Sequence, residues 1–232
     1  MEAVIYSKRE IARLLSSSFL FSGLNEAEFE RIAAFARIKK VSRGRVVFSK
    51  GDPGNSMFAV ISGRLKVQNI SEDGKSLIMG FLEPGAVFGE IAVLDSKPRT
   101  ASVVSIEDSE LLVIERAPFL RFLEAYPRVS IKLMEAICER LRAADQSLEN
   151  MVFMSIPNRL IHMLRALSDQ YGVVTAGGIE IRMKISQGEL ANLIGASRES
   201  VNKQLRIWED AGLLKMAEGW MQLSQQLLAA SE

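Results

Sequence analysis

The chain has 232 residues, 48% apolar and 25% charged, enough for one large or two ordinary domains and too apolar for a disordered protein. Its 29 basic and 28 acidic side chains leave a net charge of +1. Whole-chain charge therefore argues for neither nucleic acid nor a membrane, and any DNA site has to be a local patch.

Residues 7–38 carry helical periodicity, with Ile11, Leu14 and Leu15 followed by Phe29, Ile32, Ala33 and Ala36. Asn25 and Glu28, three residues apart, read as a capping box for the second of these helices. No long uncharged apolar run occurs, and Met1-Glu2-Ala3-Val4-Ile5-Tyr6 does not read as a signal peptide. The expectation is a cytoplasmic protein with no membrane partner.

From Val41 to about Ile114 the pattern changes to short apolar runs. These are Val46-Val47-Phe48, Phe58-Ala59-Val60-Ile61, Leu65-Lys66-Val67, Leu77-Ile78-Met79 and Leu111-Leu112-Val113-Ile114. Between them stand Gly44, Gly51-Asp52-Pro53-Gly54, Ser62-Gly63, Asp73-Gly74 and Pro84-Gly85. Many short strands punctuated by Gly and Pro indicate a β-barrel or jelly roll.

Within that region Phe88-Gly89-Glu90-Ile91-Ala92 is followed by Lys97-Pro98-Arg99-Thr100-Ala101. Glycine allows close backbone approach, a carboxylate accepts from a hydroxyl, and a guanidinium offers an anion two donors in a rigid fork. A Glu–Arg surface pair at a turn is the other reading of so short a motif. The stretch resembles the phosphate-binding cassette of cyclic-nucleotide-binding domains. The resemblance implies that Gly89, Glu90, Ile91, Ala92, Arg99, Thr100 and Ala101 form the effector site. Glu90 would hold the ribose and Arg99 the phosphate, with Thr100 and Ala101 beside phosphate and base.

Pro118 and Pro127 mark a return to helix, and residues 128–154 contain neither Gly nor Pro. Met134, Ile137, Leu141, Ala144, Leu148 and Met151 follow a heptad spacing, while Glu135, Glu139, Arg142 and Glu149 charge the other face. This reads as a coiled-coil seam between two copies, or else as a helix packed on its own barrel. Cys138 is the one cysteine, so no internal disulfide and no iron–sulfur cluster, which takes about four thiolates, is expected. One histidine, His162, in the run Leu160-Ile161-His162-Met163-Leu164, is expected in a core or interface. Too few ligands remain for a metal site, and no nucleophile–base constellation occurs, so the chain is not expected to be an enzyme.

Ser155-Ile156-Pro157-Asn158 breaks the helix and marks a hinge. A helix over 158–170, a β region from Val173 to Ile185, two further helices and a hairpin are expected next. Leu213–Met216 and Trp220–Leu223 flank the hairpin's Glu218-Gly219, and the last nine residues read as a loose tail or a short helix. Residues 186–209 fit a helix-turn-helix, with Ala191 at the helix crossing and Gly195 in the turn. Leu190, Ile194, Ala196 and Val201 face inward, and Gln204 stands where an apolar residue is usual, with Leu205 beside it to compensate. The second helix would expose Arg198, Glu199, Asn202 and Lys203, residue types that read base edges and phosphates. A solvated charged face is the other reading.

Barrel, cassette, heptad helix, hinge and winged helix-turn-helix in this order resemble the cyclic-AMP receptor protein/FNR (CRP/FNR) family of bacterial transcription regulators, over about residues 10–223. The resemblance implies an α+β chain. Residues 1–127 would form a cyclic-nucleotide-binding jelly-roll barrel, 128–154 the dimerisation helix and 155–232 the winged helix-turn-helix. It implies a homodimer on a near-palindromic double-stranded DNA operator, with RNA polymerase as a partner, and a DNA-facing set of Ser186, Gln187, Ser197, Arg198, Glu199, Asn202 and Lys203. Arg140 matches the residue that braces the cassette glutamate. Ala144 and Asp145 stand where cyclic-AMP receptors carry a base-contacting Thr-Ser pair. That departure puts strict cyclic-AMP specificity in question. The cassette resemblance still implies cyclic AMP as the leading effector, with cyclic GMP, or another signal, the alternative. Haem is not expected, because the barrel holds no His or Cys. A nucleotide-binding dimerisation module without specific DNA recognition is the alternative function.

Overall fold

The computed structural model describes residues 24–217 and 220–229, together with residues 10, 12, 16, 18 and 21. The chain divides into two compact units, residues 1–75 with 79–142, and residues 76–78 with 143–232.

In the first unit, α1 (Glu26–Phe35) starts at Asn25. The Asn25 side chain accepts from the Glu28 N–H at 3.0 Å, and the Glu28 carboxylate accepts from the Asn25 N–H at 2.8 Å. This is the expected capping box. The helix stops three residues short of the expected end. Ala36 is extended, and Arg37 and Ile38 pair as strand with Val113 and Leu112, so tertiary pairing overrides local periodicity there. Ile11, Leu14 and Leu15 lie outside the described residues.

Eight strands follow: β1 (Arg37–Val41), β2 (Val46–Phe48), β3 (Ser56–Ser62), β4 (Leu65–Ile70), β5 (Ser76–Leu82), β6 (Val87–Phe88), β7 (Ser102–Ser105) and β8 (Ser109–Glu115). They form two four-stranded sheets, ordered β1-β8-β3-β6 and β2-β7-β4-β5. The pairings β1–β8, β3–β8, β3–β6, β2–β7 and β4–β7 are antiparallel. The runs in β3 and β8 are continuously apolar because both faces are covered. Phe58, Val60, Leu111 and Val113 join one buried cluster with Leu65 and Val103 of the facing sheet. Met57, Ala59, Ile61, Leu112 and Ile114 alternate with them and join Phe29, Ile32, Phe119, Phe122 and Val129 in a second. Each of the larger side chains among these contributes about 1.5–3 kcal/mol on full burial.

Among the described residues this unit also holds α2 (Glu90–Asp95), α3 (Arg116–Ala125) and α4 (Pro127–Phe153), the last running on into the second unit. Arg128, near the start of α4, donates to buried Glu28 from Nη2 at 2.6 Å to each carboxylate oxygen, and from Nε at 3.1 Å. The Arg128 bond holds the Glu28 carboxyl below its ordinary value, helped by the Asn25 N–H and opposed by burial. Val129 and Leu133 of α4 are buried, whereas Met134, Ile137, Leu141, Leu148 and Met151 are exposed.

In the second unit, α5 (Ile156–Tyr171) begins at Ser155, with Pro157 in its first turn. The helix break thus falls earlier than the proline, because proline is compatible with a helix start. Strands β9 (Gly172–Thr175), β10 (Gly178–Ile181), β11 (Leu214–Ala217) and β12 (Trp220–Leu223) form an antiparallel sheet ordered β11-β12-β10-β9. Glu218 and Gly219 of the expected hairpin turn lie outside the described residues. The helices are α6 (Gln187–Ile194), α7 (Arg198–Asp210) and a short α8 (Gln225–Ala229). Leu160, Ile161, Leu164 and Leu167 of α5 are buried. His162, expected in a core or interface, is not in this chain's core but exposed, because the helical period turns it away from that stripe.

Candidate functional site

The cassette is built by β6, α2 and the segment before β7. Gly89 ends β6 and caps α2 with φ 78°, a left-handed conformation that glycine adopts without strain. A Cβ there would lie 2.7 Å from Arg99 Nη1 and would force the guanidinium to shift. The C-terminal end of α2 is pinned by Arg116, whose Nε donates to the Val93 carbonyl at 2.8 Å and whose Nη2 donates to Ser96 Oγ at 2.5 Å. Arg99 is placed by the loop Gly51–Gly54. The Arg99 N–H donates to the Asp52 carbonyl at 2.9 Å, and the Gly51 N–H donates back to the Arg99 carbonyl at 2.9 Å. Gly54 allows this approach, since a Cβ on it would come within 2.1 Å of Ala92 Cβ.

Glu90 is the first residue of α2 and is 3% exposed. Arg140 of α4 reaches it, Nη1 donating to Glu90 Oε1, which is the expected contact. Arg99 is 5% exposed. Its Nη1 donates to the Gly89 carbonyl at 2.7 Å and its Nη2 to the Ser56 carbonyl at 2.6 Å. Its Nε–H is buried with no partner. Burial pushes the Arg99 guanidinium below its ordinary pKa, while the charges of Glu90 and Asp52 push it back up.

A cleft of about 440 Å³, partly open to solvent, is lined by Gly89, Glu90, Ile91, Ala92, Arg99, Thr100, Ala101 and Arg140. All of these cassette residues come together. Ile91 and Thr100 are exposed at its mouth and Ala101 is buried. Ala144 and Asp145 are exposed on α4, in the second unit.

In the second unit α6 and α7 form the helix-turn-helix. Ser186 caps α6 in a second capping box, its Oγ accepting from the Glu189 N–H at 3.1 Å and donating to the Glu189 carboxylate at 2.9 Å. Gly195 closes α6 in the left-handed conformation. Ser197 caps α7, accepting from the Ser200 N–H at 3.1 Å. Leu190, Ala191, Ile194 and Val201 are buried, and Leu205 is buried beside half-buried Gln204, so it does compensate. Ala196, expected inward, is only half-buried, because it lies in the turn between the helices. Arg198, Glu199 and Lys203 are exposed. Asn202 is half-buried, and Gln187 is half-buried at the start of α6.

The cyclic nucleotide-binding domain model matches residues 38–126 and the Crp-like helix-turn-helix domain model matches residues 158–230. The cyclic AMP receptor protein of Thermus thermophilus is 30% identical over 214 residues, spanning 92% of this chain and 96% of that one. The chain belongs to the CRP/FNR family of transcription regulators. A CRP-like cAMP-activated global transcriptional regulator of Mycobacterium tuberculosis is 27% identical over 203 residues, 88% of this chain and 91% of that one. Among solved structures, the c-di-GMP responsive global regulator CLP of Xanthomonas campestris shares the fold. Its TM-score is 0.77 at 23% identity, over 86% of this chain and 99% of that one.

For a CRP/FNR chain the cleft passes a chemical test for a cyclic nucleotide. It joins a buried carboxylate, a buried guanidinium with an uncommitted N–H, and an apolar floor. That floor is Phe48, Val67, Leu82, Phe88 and Val103. Of these only Phe88 stands in the cassette motif. Phe48 and Val67 were legible only as strand residues, and nothing in a period-2 pattern says which strand face meets a ligand. Among the described residues no group of His, Cys, Asp or Glu is placed to hold a metal ion, and no helix is long and apolar enough to cross a membrane.

Proposed function

We propose that this CRP/FNR regulator is a homodimer gated by a cyclic nucleotide, with cyclic AMP the favoured effector and cyclic GMP the alternative. The observation that carries the reading is Arg99: a buried guanidinium that lines the same cleft as Glu90, held by two carbonyls and with its Nε–H left without a partner. A bound cyclic nucleotide supplies one phosphate anion, a ribose hydroxyl and a base. Arg99 offers its remaining donors to the anion. Glu90 accepts from the hydroxyl, and Arg140 fixes that carboxylate. Because Arg140 belongs to α4, occupancy at Glu90 bears directly on the helix that carries the exposed heptad seam. Arg198, Glu199, Asn202 and Lys203 of α7 read the operator, RNA polymerase is the further partner, and no reaction is catalysed. The names of the Thermus and Mycobacterium relatives support cyclic AMP.

The test is calorimetric titration of the full chain with cyclic AMP, cyclic GMP and cyclic di-GMP, alongside DNA binding with and without nucleotide across a salt series. Arg99→Ala should lose about 200- to 5,000-fold in affinity, the consequence of a buried charge left unpaired at roughly 3–5 kcal/mol. Wild-type affinity in that variant overturns the reading.

A further inference from the structure

Arg99 is a buried cation, and among the described residues no carboxylate lies within ion-pair distance of it. The bond from Glu90 goes to Arg140 instead. Two carbonyl oxygens accept from Arg99, and Glu90 and Asp52 act on it only through space. Burying a guanidinium on those terms is unfavourable unless something else presents negative potential to it.

That something is an aromatic face. The Arg99 Cζ lies 4.2 Å from the centroid of the Phe48 ring and 5.7 Å from that of Phe58. Phe48 is itself buttressed, with ring centroids 5.8 Å from Phe58 and 5.9 Å from Phe88, and those two rings stack at 5.2 Å. Phe58 and Phe88 are buried, so the base of the stack is fixed in the barrel core. Gly89 borders this contact, since a Cβ there would meet Arg99 Nη1 at 2.7 Å and Phe48 Cε1 at 3.4 Å. The guanidinium thus lies over a ring face with bare backbone beside it.

We infer that Phe48 is a positioning residue of the phosphate site, holding the Arg99 guanidinium in its buried, anion-ready place through the negative face of its ring. The inference rests on the nucleotide reading of the cleft. An arginine that swings out to water is not competent to bind, and apparent affinity falls with the competent fraction. Phe58 is the lesser contributor, because it is farther from Arg99 and also has Lys39 Nζ at 6.0 Å from its centroid. A leucine at 48 would fill much of the volume and supply no quadrupole.

The test replaces Phe48 of the full chain with 4-fluoro-, 3,5-difluoro- and 3,4,5-trifluorophenylalanine. These drain the ring face stepwise and barely change its shape. Cyclic AMP affinity should fall along the series, and Phe48→Leu should weaken it about 2- to 30-fold while Phe48→Tyr retains it. The second readout needs no nucleotide. The Arg99 Nε–H resonance, assigned by its loss in Arg99→Lys, should move stepwise toward the solvent-exposed arginine value along the same series. Equal affinities across the series, with Arg99→Ala unable to bind, would overturn the role of the ring and leave the nucleotide reading standing. If the wild-type chain takes up no cyclic nucleotide the functional reading fails, and an unmoved Nε–H resonance then overturns the stacking inference separately.

Discussion

Arg140 of α4 donates to the buried carboxylate of Glu90, the first residue of α2. One end of this pair is 5% exposed at the side chain and the other 58%, so the carboxylate depends on the arginine more than the reverse. Glu90→Gln keeps the shape but removes the charged acceptor. A hydrogen bond to a charged group is worth about 1.5–3 kcal/mol, so nucleotide affinity should fall about 10- to 150-fold. Arg140→Ala leaves the buried Glu90 carboxylate without its brace and should cost about 1–2 kcal/mol of nucleotide affinity, since Arg140 itself is more than half exposed. Calorimetry on both variants checks the order of the two effects. A larger loss in Arg140→Ala would mean that the arginine touches the nucleotide directly.

The pair Glu28–Arg128 predicts a pH dependence. The Arg128 bond lowers the folded-state pKa of Glu28, so the pair stabilises the fold fully above the unfolded value, about 4.3, and its contribution is lost as pH falls through the folded value. Arg128→Ala should therefore melt below wild type at neutral pH, with the gap closing in acid below about pH 4. Thermal unfolding of both proteins across pH measures this. A gap that stays constant down to pH 3 would show that Arg128 acts through packing of its stem alone.

The exposed stripe on α4 predicts the dimer. Met134, Ile137, Leu141, Leu148 and Met151 are between 38% and 62% exposed, an apolar row that a second copy would cover. Leu141→Glu with Leu148→Glu places four carboxylates at a two-fold seam, each costing about 2 kcal/mol or more if buried without a partner. Sedimentation should give a monomer. A dimeric mass would move the interface elsewhere.

On α7, Arg198→Ala and Lys203→Ala should weaken operator binding and leave nucleotide affinity unchanged. A lost base contact should cost about 1–3 kcal/mol and relax one position, and a lost phosphate contact should flatten the salt slope by about one. Half-buried Asn202 should contribute less than its neighbours, because part of its side chain is turned from solvent. Unchanged binding of both charge variants to a selected operator would mean that α7 does not read DNA.

What the sequence made legible is what local chemistry encodes. The Asn25–Glu28 box, the apolar runs of β3 and β8 and the helix-turn-helix around Gly195 each follow from spacing alone. The resemblance supplied Glu90–Arg140, a contact between residues 50 positions apart that no periodicity encodes. Three strands escaped: β1, hidden in a helical period; β6, only two residues long; and β7, Ser102-Val103-Val104-Ser105, whose apolar pair is too short to read. The Phe48–Arg99 stack was invisible because it joins distant parts of the barrel sequence, and His162 lies outside this chain's core because an apolar neighbourhood in sequence is not one in a helix.

The last prediction concerns the base. A carboxylate can accept two parallel hydrogen bonds from guanine N1–H and N2–H₂, whereas adenine offers it one good donor and sets an acceptor opposite the anion. Asp145, at an e position beside Ala144, is the carboxylate that would accept these bonds, and the Thr100 hydroxyl is at the mouth of the cleft. Asp145 is exposed, however, and a solvated charge contributes little to a hydrogen bond that competes with water. Thr100 alone, also exposed, does not distinguish the bases by charge. The expected result is therefore tighter binding of cyclic AMP than cyclic GMP, with Asp145→Ala changing both affinities by less than about threefold, the size of a weak exposed electrostatic term. Titration of wild type and variant with both nucleotides decides it. A loss of about 10- to 150-fold confined to cyclic GMP, the range of a hydrogen bond to a charged group, would show that Asp145 reads guanine and that the effector assignment has to change.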